Sequence, residues 1–538
     1  MGTMRSRFVA AFLIFASAAA LAQSVSVPVR HEVYEFFKKM EAVGLLREYR
    51  DIIRPISRYQ AAQLLLRVER SAMTLTDVDL RRLTFFKEEF GDELGMTDPS
   101  WTEVPRRWHP LTFVLDGGVM NVDLNAAFRY AQSQQDWSQR VSNGLRMSGY
   151  AFERFGFSFH FADNREIGTK LDAFRRLSPE DGLIVSKPTA TSFEYDFTEA
   201  EFSYSTGGIM VALEKIPMWW STGRRGSLML SPKAPAPPQL RFRAELADWL
   251  DFTYIFADLN SDVVDSSRSY PANSSAVTNF YRPVYRQKYL AAHALEASVT
   301  GWLDLSFGES IVYSDKNPQL MYLIPVMFFK SGEHYNKDTD NAQFFLSADV
   351  NPGWGVNAYG SLFIDEIATS ALFDPAKERN QLGYTVGLQM YDPWIKNTEL
   401  LIEYSRLNPW VYSHKYPAAT FQNSSYDMGH WIGQNADLLT IEVVHRPLRS
   451  VKASVWFEQL RKGGRADVSA QYTLPSLPFL YGPRHRETSA GIRVVAEPVR
   501  DVFVEGLART YRVSDETIAA LSHGHKPEFV FAVRYGLR

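Results

Sequence analysis

The chain has 538 residues, of which 45% are apolar and 22% charged, so it can bury a large core and is not a mostly disordered protein. Its 58 Lys and Arg against 61 Asp and Glu give a net charge of -3, which argues against a dedicated nucleic-acid binder. The absence of cysteine excludes disulfides, Cys-ligated metal centres, thiol nucleophiles and an acylated lipoprotein anchor. Aromatic residues reach 14%, yet the mean hydropathy is only -0.23.

The first residues predict a secretory signal peptide over residues 1–22. Arg5 and Arg7 precede an apolar run, Phe8–Leu21, which ends in the small-residue site Ala20-Leu21-Ala22. A transmembrane anchor is the alternative, but the run is shorter than the roughly 20 residues that a spanning helix needs. Since no other apolar run of that length follows, the mature protein is either soluble outside the cytoplasm or an outer-membrane barrel.

Residues 27–100 predict a small helical segment. Three amphipathic helices are expected: one ending near Gly44, one capped by Ser57, and one opened by a capping box at Thr76–Asp79 and ended by Gly91 or Gly95. Part of the segment (Val27–Arg70) also resembles an S-layer-homology repeat. The alternative is a plain helical bundle that packs against the rest of the chain.

Residues 109–538 predict an outer-membrane β-barrel. After Pro110 the helical period gives way to alternation, as in Val451–Glu458 and Phe529–Leu537, with one apolar and one polar face in each strand. Closure of such a sheet satisfies every backbone group in lipid. A polar lumen then reconciles the aromatic-rich composition with the negative hydropathy.

The connections alternate between short and long, which is typical of outer-membrane barrels. The predicted short turns are Ser205–Gly208, Ala247–Leu250, Thr300–Gly301, Asn351–Gly355, Asp392–Asn397, Arg446–Ser450 and Glu497–Arg500. The predicted long loops are Asp163–Asp196, Pro217–Pro238, Asn260–Tyr285, Ser314–Asn341, Asp365–Arg379, Leu407–Asn435, Arg461–Arg486 and Val513–Pro527. Fifteen strands run from Asp196 to the end and three fit between Leu111 and Ala162, with a turn near Glu153, so we expect about 18 strands.

The motifs of common enzymes are missing from the sequence. No G-x-S-x-G, H-E-x-x-H, Walker loop or G-x-G-x-x-G after a strand is found. The closest His pair, His523 and His525, falls in a predicted loop and is more often solvated than metal-bound. We therefore expect no enzyme, no cofactor and no metal site.

Aromatic and polar side chains crowd into three long loops. Aromatic faces stack on sugar rings, and neighbouring Asp, Asn, His and Arg bind hydroxyls or carboxylates, so the crowding favours a polysaccharide-binding surface. The alternative is that these aromatics belong to the interfacial girdle or to a loop plug in the lumen. The candidate residues are Trp219, Arg224, Arg225, His334, Tyr335, Trp410, Tyr412, His414, Tyr416, His430, Trp431, Asn435 and Asp437.

The same loops resemble the Wzi family of capsule-assembly outer-membrane proteins. The strongest resemblance lies in Glu403–Leu438, including the Gly429–Gly433 (GHWIG) and Asn435–Asp437 pieces; Phe307–Ser310 and Ser221–Pro238 are also similar. The resemblance runs from about Val27 to the C-terminus. It implies an 18-stranded barrel with a periplasmic helical bundle, and a lectin that holds capsular polysaccharide.

The sequence thus predicts an outer-membrane barrel that binds surface polysaccharide without cleaving it. The alternatives are a porin whose helical segment contacts peptidoglycan and, third, a purely structural assembly component. Expected partners are outer-membrane lipid, capsular or exopolysaccharide, and peptidoglycan or periplasmic export components; nucleic acid is not expected. We expect the barrel in the outer membrane of a Gram-negative-type bacterium, with the helical segment in the periplasm.

Overall fold

The fold is taken from a computed structural model of the chain. It describes residues 25–97, 106–115, 117–152, 154–186, 188–272, 281–367, 380–465 and 467–536. The predicted signal peptide, 1–22, therefore lies outside the described residues. No helix in the described part of the chain is long and apolar enough to cross a membrane.

Four helices form the N-terminal segment: α1 (Glu32–Ala42), α2 (Arg58–Glu69), α3 (Asp77–Glu89) and α4 (Gly91–Thr97). The predicted caps are confirmed. Ser57 and Gln60 form a full capping box on α2, and the Thr76 hydroxyl accepts the backbone N–H of Asp79. The sequence missed α4, which begins at Gly91 where a helix end was expected. Its Leu94 is buried in the core of the segment, so packing decides this helix rather than local propensity.

Eighteen antiparallel strands of the described chain close into a barrel, as predicted. In chain order they are β1 (Gly118–Ser133), β2 (Asp136–Ala151), β3 (Phe155–Gly168), β4 (Ser192–Thr206), β5 (Ile209–Lys215), β6 (Gln239–Ala247), β7 (Leu250–Val264), β8 (Tyr285–Thr300), β9 (Leu303–Ser314), β10 (Asn341–Val350), β11 (Val356–Glu366), β12 (Gln381–Tyr391), β13 (Thr398–Leu407), β14 (Ala436–Leu448), β15 (Val451–Lys462), β16 (His485–Val499), β17 (Val502–Asp515) and β18 (His523–Tyr535). β18 pairs with β1 from Phe529↔Gln132 to Tyr535↔Ala126 and closes the ring. A short strand, Leu111–Leu115, pairs with the first residues of β1.

The two ends of the barrel differ, as the alternation of connections predicts. At one end, the short-turn end, the strands join through tight turns that carry exposed Trp249, Trp302, Trp354 and Trp394. At the other, the long-loop end, most connections are long, but β1 and β2 join through only residues 134–135. The long loop predicted at Val513–Pro527 is wrong, because β17 and β18 extend to Asp515 and from His523 and leave only residues 516–522 between them; His523 and His525 therefore lie on β18 and not in a loop. Tryptophan is enriched at membrane–water interfaces, so the four residues mark one edge of the apolar belt.

Two long loops fold into the lumen and form a plug, defined here as residues 216–238 and 408–435. Within it the Tyr412 hydroxyl donates to the Leu228 carbonyl at 2.6 Å, and Ser231 N donates to the Met428 carbonyl at 2.8 Å. On the barrel wall, Trp220 packs against Phe345, with ring centroids 6.0 Å apart. Two of the longest loops are thus interior elements rather than free surface loops.

The helical segment fills the short-turn end of the lumen. Lys38 Nζ lies 3.0 Å from Asp349 Oδ2 of β10, and Gly355 N donates to the Ala42 carbonyl at 2.8 Å. Farther inside, Ile53–Arg54 forms a two-stranded ribbon with Trp219–Trp220 of the plug. The two inserts therefore meet inside the barrel.

Candidate functional site: a charged cleft between plug and wall

The plug is off-centre, and this leaves part of the lumen open. Inward-facing side chains of β12 and β13 are covered, with Thr385 and Glu403 at 0% and 1% exposure. Inward-facing side chains of β16 and β17 are not, since Arg493 and Arg509 remain 35% and 32% exposed. The connections at 134–135 and 516–522, beside this wall, are too short to cover the mouth. The longer 463–484 connection turns towards β11 and β13, where Gln471 donates to Glu366 and the Phe479 ring lies against Arg406. A cleft between plug and wall therefore opens to the long-loop end.

The plug contributes Arg225 and Trp431 to this cleft. The Trp431 indole N–H donates to the Arg225 carbonyl at 2.8 Å, and its ring stacks on His430 at 6.0 Å between centroids. The Arg225 guanidinium reaches across to Glu458 on β15, with Nε 2.9 Å from Oε1. Both cleft side chains are half-buried, so each is held in place and still reachable.

The wall adds a row of carboxylates and an arginine. Glu458 lies opposite Ser489, and Glu487 comes two residues before Ser489 on β16, so the two carboxylates are diagonal neighbours on one face. Arg509 on β17 pairs with Glu528 on β18, and its Nη1 lies 3.7 Å from Glu487 Oε1. The guanidinium also lies over the Tyr511 ring at 4.8 Å.

Trp456 on β15 supplies a second aromatic surface. It lies opposite Gly491 on the inward face and is half-buried. A Cβ on Gly491 would approach the Trp456 ring within 2.6 Å, so the indole occupies the space that glycine leaves free. The cleft therefore combines two indoles with alternating cationic and anionic groups.

Sequence reasoning placed Arg225 and Trp431 among the candidates but missed Trp456, Glu458, Glu487, Arg509 and Glu528. The sequence did contain a signal for these five residues, because each strand alternates between lipid-facing and lumen-facing positions and all five occupy lumen-facing positions. The alternation does not show which part of the lumen wall the plug leaves uncovered.

Several predicted site residues lie in the packed interior instead. Tyr412 and His430 are buried in the plug, where the Tyr412 hydroxyl accepts the His430 backbone N–H at 3.1 Å. Burial, with Arg225 nearby, lowers the pKa of His430 to about 3. For these residues the structure shows the packed plug that the sequence left open as an alternative.

Three other predicted residues hold the ends of loops. The buried Asn435 amide donates to the Gly464 and Tyr481 carbonyls at 2.9 and 3.0 Å. The Trp410 indole donates to the Asp467 carbonyl, and Asp437 forms an ion pair with Arg461. These contacts hold neighbouring loops and strands together, so the three residues have a structural role.

Arg224 and Trp219 lie deeper in the lumen. Arg224 N donates to Glu403 Oε2 at 2.6 Å, its guanidinium lies over the Tyr359 ring, and the Trp219 indole donates to the Gly223 carbonyl. Both side chains are half-buried, but these contacts tie them to the plug and wall rather than to the Arg225–Trp431 surface.

The remaining predicted residues are accessible but separate. His414 and the exposed Tyr416 lie with Lys415 at the tip of the 408–435 loop, with the two rings 5.5 Å apart. Burial and Lys415 together lower the pKa of His414 to about 4. His334 and Tyr335 are exposed on α5 (Phe329–Tyr335), in the loop after β9. The predicted residues thus fall into several clusters rather than a single site.

Comparison with known proteins gives a family for this chain and one solved structure with the same fold. The profile of a family described as capsule assembly protein Wzi matches residues 125–518. The crystal structure of Wzi from Escherichia coli, described as an outer membrane protein involved in group 1 capsule assembly and a carbohydrate-binding β-barrel, superposes with a TM-score of 0.56 at 10% identity, covering 96% of this chain and 99% of that one. OccD3 (OpdP) from Pseudomonas aeruginosa gives a TM-score of 0.42 at 12% identity over 78% and 91% of the two chains. No curated protein sequence matches the chain.

Proposed function

We propose, for a chain that belongs to the Wzi family of capsule assembly proteins, that the barrel binds surface polysaccharide and retains it without cleaving it. The observation that carries this proposal is the cleft, where Trp431 contacts Arg225, Arg225 pairs with Glu458 of the wall, and Trp456 lies two positions before Glu458 on the same face of β15. The E. coli Wzi whose fold this chain shares is described as carbohydrate-binding, which supports the same class of ligand.

The chemistry of the cleft suits a sugar chain. Indole faces offer apolar area to the C–H faces of sugar rings, while carboxylates accept hydrogen bonds from hydroxyls. Arg225 and Arg509 would donate to hydroxyls or to uronic-acid carboxylates. Each contact is weak, but a polymer engages many of them at once and is retained by avidity.

The barrel would sit in the outer membrane, with the long-loop end outside and the helical segment in the periplasm. Short turns at the periplasmic side are the rule for outer-membrane barrels, and the four exposed Trp residues lie on the short turns. The helical segment would then face peptidoglycan and periplasmic export components. The Trp354→Cys and Leu474→Cys variants test the orientation. An impermeant thiol reagent on intact cells should label the Leu474→Cys variant only, and labelling of the Trp354→Cys variant alone would reverse the orientation.

A solute channel is the second candidate, and one observation favours it. Accessible charged side chains continue along the wall from Glu487 to Lys452 at the short-turn end. Against it, the helical segment is tied to that end by Arg500–Glu88 and by the contact between Lys452 and Glu35. Steady conductance of the purified full chain in planar bilayers would favour the channel.

The direct test is binding of purified full-length barrel to capsular polysaccharide, followed by measurement of the polymer's chain length. The proposal expects saturable binding and an unchanged length distribution. Shortened chains would contradict the non-enzymatic role, and absent binding would contradict the ligand class.

A further inference from the structure

The loop after β9 lies outside the barrel. Residues 315–340, called the flap here, fold from the long-loop rim over the outer face of β7–β10. On β7, Ile255 and Ala257 point inward and belong to the core shared with the plug, whereas Tyr254, next to Ile255, belongs to a separate cluster. That cluster contains Tyr322 and Phe329 of the flap, both fully buried. The flap therefore covers side chains that alternation directs away from the lumen.

Polar contacts fix the flap to the wall. The Tyr254 hydroxyl donates to the Tyr322 carbonyl at 2.7 Å, and Gln319 N donates to the Tyr313 hydroxyl at 3.1 Å. Phe329 N donates to Glu309 Oε1 at 2.8 Å, and the same oxygen lies 3.2 Å from His293 Nε2.

Glu309 and His293 face outward and pair with each other, and bare lipid would leave this polar pair exposed to hydrocarbon. The flap adds the hydrogen bond from Phe329 N to Glu309, packs the Phe329 ring 4.7 Å from the His293 ring, and shields both side chains from lipid. The flap reaches well below the rim, because Glu309 precedes the end of β9 at Ser314 by five positions. At about 3.3 Å per residue and a tilt near 40°, this is roughly 13 Å down the wall.

The outer surface of the flap is apolar from Leu320 to Phe328, whereas the exposed His334 and Asp338 make its last part polar. Leu320 and Val326 are 80% and 78% exposed, and Leu323, Ile324 and Phe328 are also exposed. This surface is continuous with the lipid-facing wall: the Phe328 ring lies 6.1 Å from Phe344, which lies 6.4 Å from the exposed Phe307. Exposed apolar side chains of the bare wall, such as Leu346, follow directly below.

We propose that the apolar part of the flap, residues 320–328, is embedded in the membrane leaflet at the long-loop end, with Leu320, Val326 and Phe328 in contact with lipid acyl chains. Continuity with the apolar belt argues for lipid as the occupant. Turns and α5 satisfy several of the flap's backbone groups internally, as the hydrogen bonds from Tyr322 N to the Gln319 carbonyl and from Met327 N to the Ile324 carbonyl show, and such pairing lowers the cost of placing backbone in lipid. This inference rests on the barrel fold and not on polysaccharide binding.

The chain contains no cysteine, so a single introduced Cys carries a unique spin label. The Leu320→Cys and Val326→Cys variants are labelled in the full-length protein, reconstituted in phosphatidylcholine–phosphatidylglycerol vesicles. Accessibility to oxygen, which partitions into lipid, is compared with accessibility to a water-soluble nickel chelate. Leu346→Cys on the bare wall is the lipid reference, and Leu474→Cys in the exposed 463–484 loop is the water reference.

The proposal expects both flap labels to resemble the label at position 346, with high oxygen and low nickel accessibility. Nickel accessibility equal to that at position 474 would place the flap in water and overturn the proposal. Labels sheltered from both reagents would also overturn it, since a second copy of the chain or another protein would then cover the surface. All four substituted side chains are exposed, and heat-modifiable migration checks that each variant folds.

Discussion

Ile53 lies opposite Trp220 in a two-residue antiparallel ribbon that joins the helical segment to the plug inside the barrel. Trp220 is buried against the wall, so the contact is part of the packed interior. A displacement of the plug from the long-loop end would therefore act directly on the helical segment at the other end.

Removing the cleft aromatics should weaken polysaccharide retention. An aromatic stack contributes on the order of 1 kcal/mol, so Trp431→Ala and Trp456→Ala should each lower affinity about fivefold. Cell-associated polysaccharide and the amount of heat-modifiable barrel are measured together. Trp302→Ala is the matched control, because this exposed indole lies on a short turn at the other end. Equal retention in all three variants would show that the cleft is not the binding surface. The exposed Tyr416 and its loop would then be tested in the same way.

Opposite charge changes at one ion pair should distinguish an acidic polymer from a neutral one. Arg509 and Glu528 are partners in the cleft wall. If the polymer is acidic, Arg509→Gln should weaken binding and Glu528→Gln should strengthen it, and added salt should reduce the difference by screening. Titration of the purified variants at two ionic strengths measures this. Changes of the same sign in both variants would show that the pair acts only by holding the wall in place.

The buried Tyr412 should matter for stability and not for binding. Its hydroxyl satisfies the Leu228 carbonyl and the His430 N–H, so Tyr412→Phe leaves both without this partner, at about 1–3 kcal/mol. The temperature at which the barrel loses heat-modifiable migration should fall, while polysaccharide affinity of the folded protein is unchanged. Tyr416→Phe, at an exposed position, should leave that temperature unchanged. A loss of affinity in Tyr412→Phe without a loss of stability would contradict this assignment.

Acid should loosen the plug. Burial and Arg225 lower the pKa of His430 from 6.5 to about 3, so the unfolded chain takes up the proton first as pH falls. The stability that neutral His430 contributes is complete above about pH 6.5 and is lost progressively towards pH 3. Protease cleavage within 408–435 should therefore rise over that window. His430→Asn keeps an acceptor near the Nδ1 position but does not titrate, so its profile should be flatter; identical profiles would exclude His430 as the cause.

Lys38 should hold the helical segment to the barrel. Although burial opposes the charge, Asp349, Asp51 and Glu41 keep the pKa of Lys38 well above its ordinary value. Lys38→Met removes the cation that Glu41, Asp51 and Asp349 share, and although Asp51 keeps its ion pair with Arg54, we expect a cost of about 3–5 kcal/mol. Limited proteolysis should then remove the helical segment while the barrel stays heat-modifiable. Lys87→Met is the control, since Lys87 pairs with Glu69 inside the segment; equal protease resistance of the two variants would contradict the prediction.

The barrel itself follows from the sequence, because its determinants are local. Alternation as in Val451–Glu458 sets which side chains face lipid and which face the lumen, and the short turns at Asn351–Gly355 and Asp392–Asn397 set strand number and direction. The helix caps at Ser57 and Thr76 are local in the same way. Each of these features depends on residues within a few positions of one another.

The site depends instead on contacts between distant residues. Nothing near Tyr412 in sequence shows that its hydroxyl meets Leu228, 184 positions away, or that the 408–435 loop turns inward. The alternation of side chains along β9 likewise places Glu309 on the outer face, but it does not show that the flap covers this residue. Sequence alone therefore determined a barrel with an aromatic-rich, polar interior. The tertiary structure decided which aromatics are packed, which wall stays open and which loop lies outside, because burial depends on what the rest of the chain places against each residue.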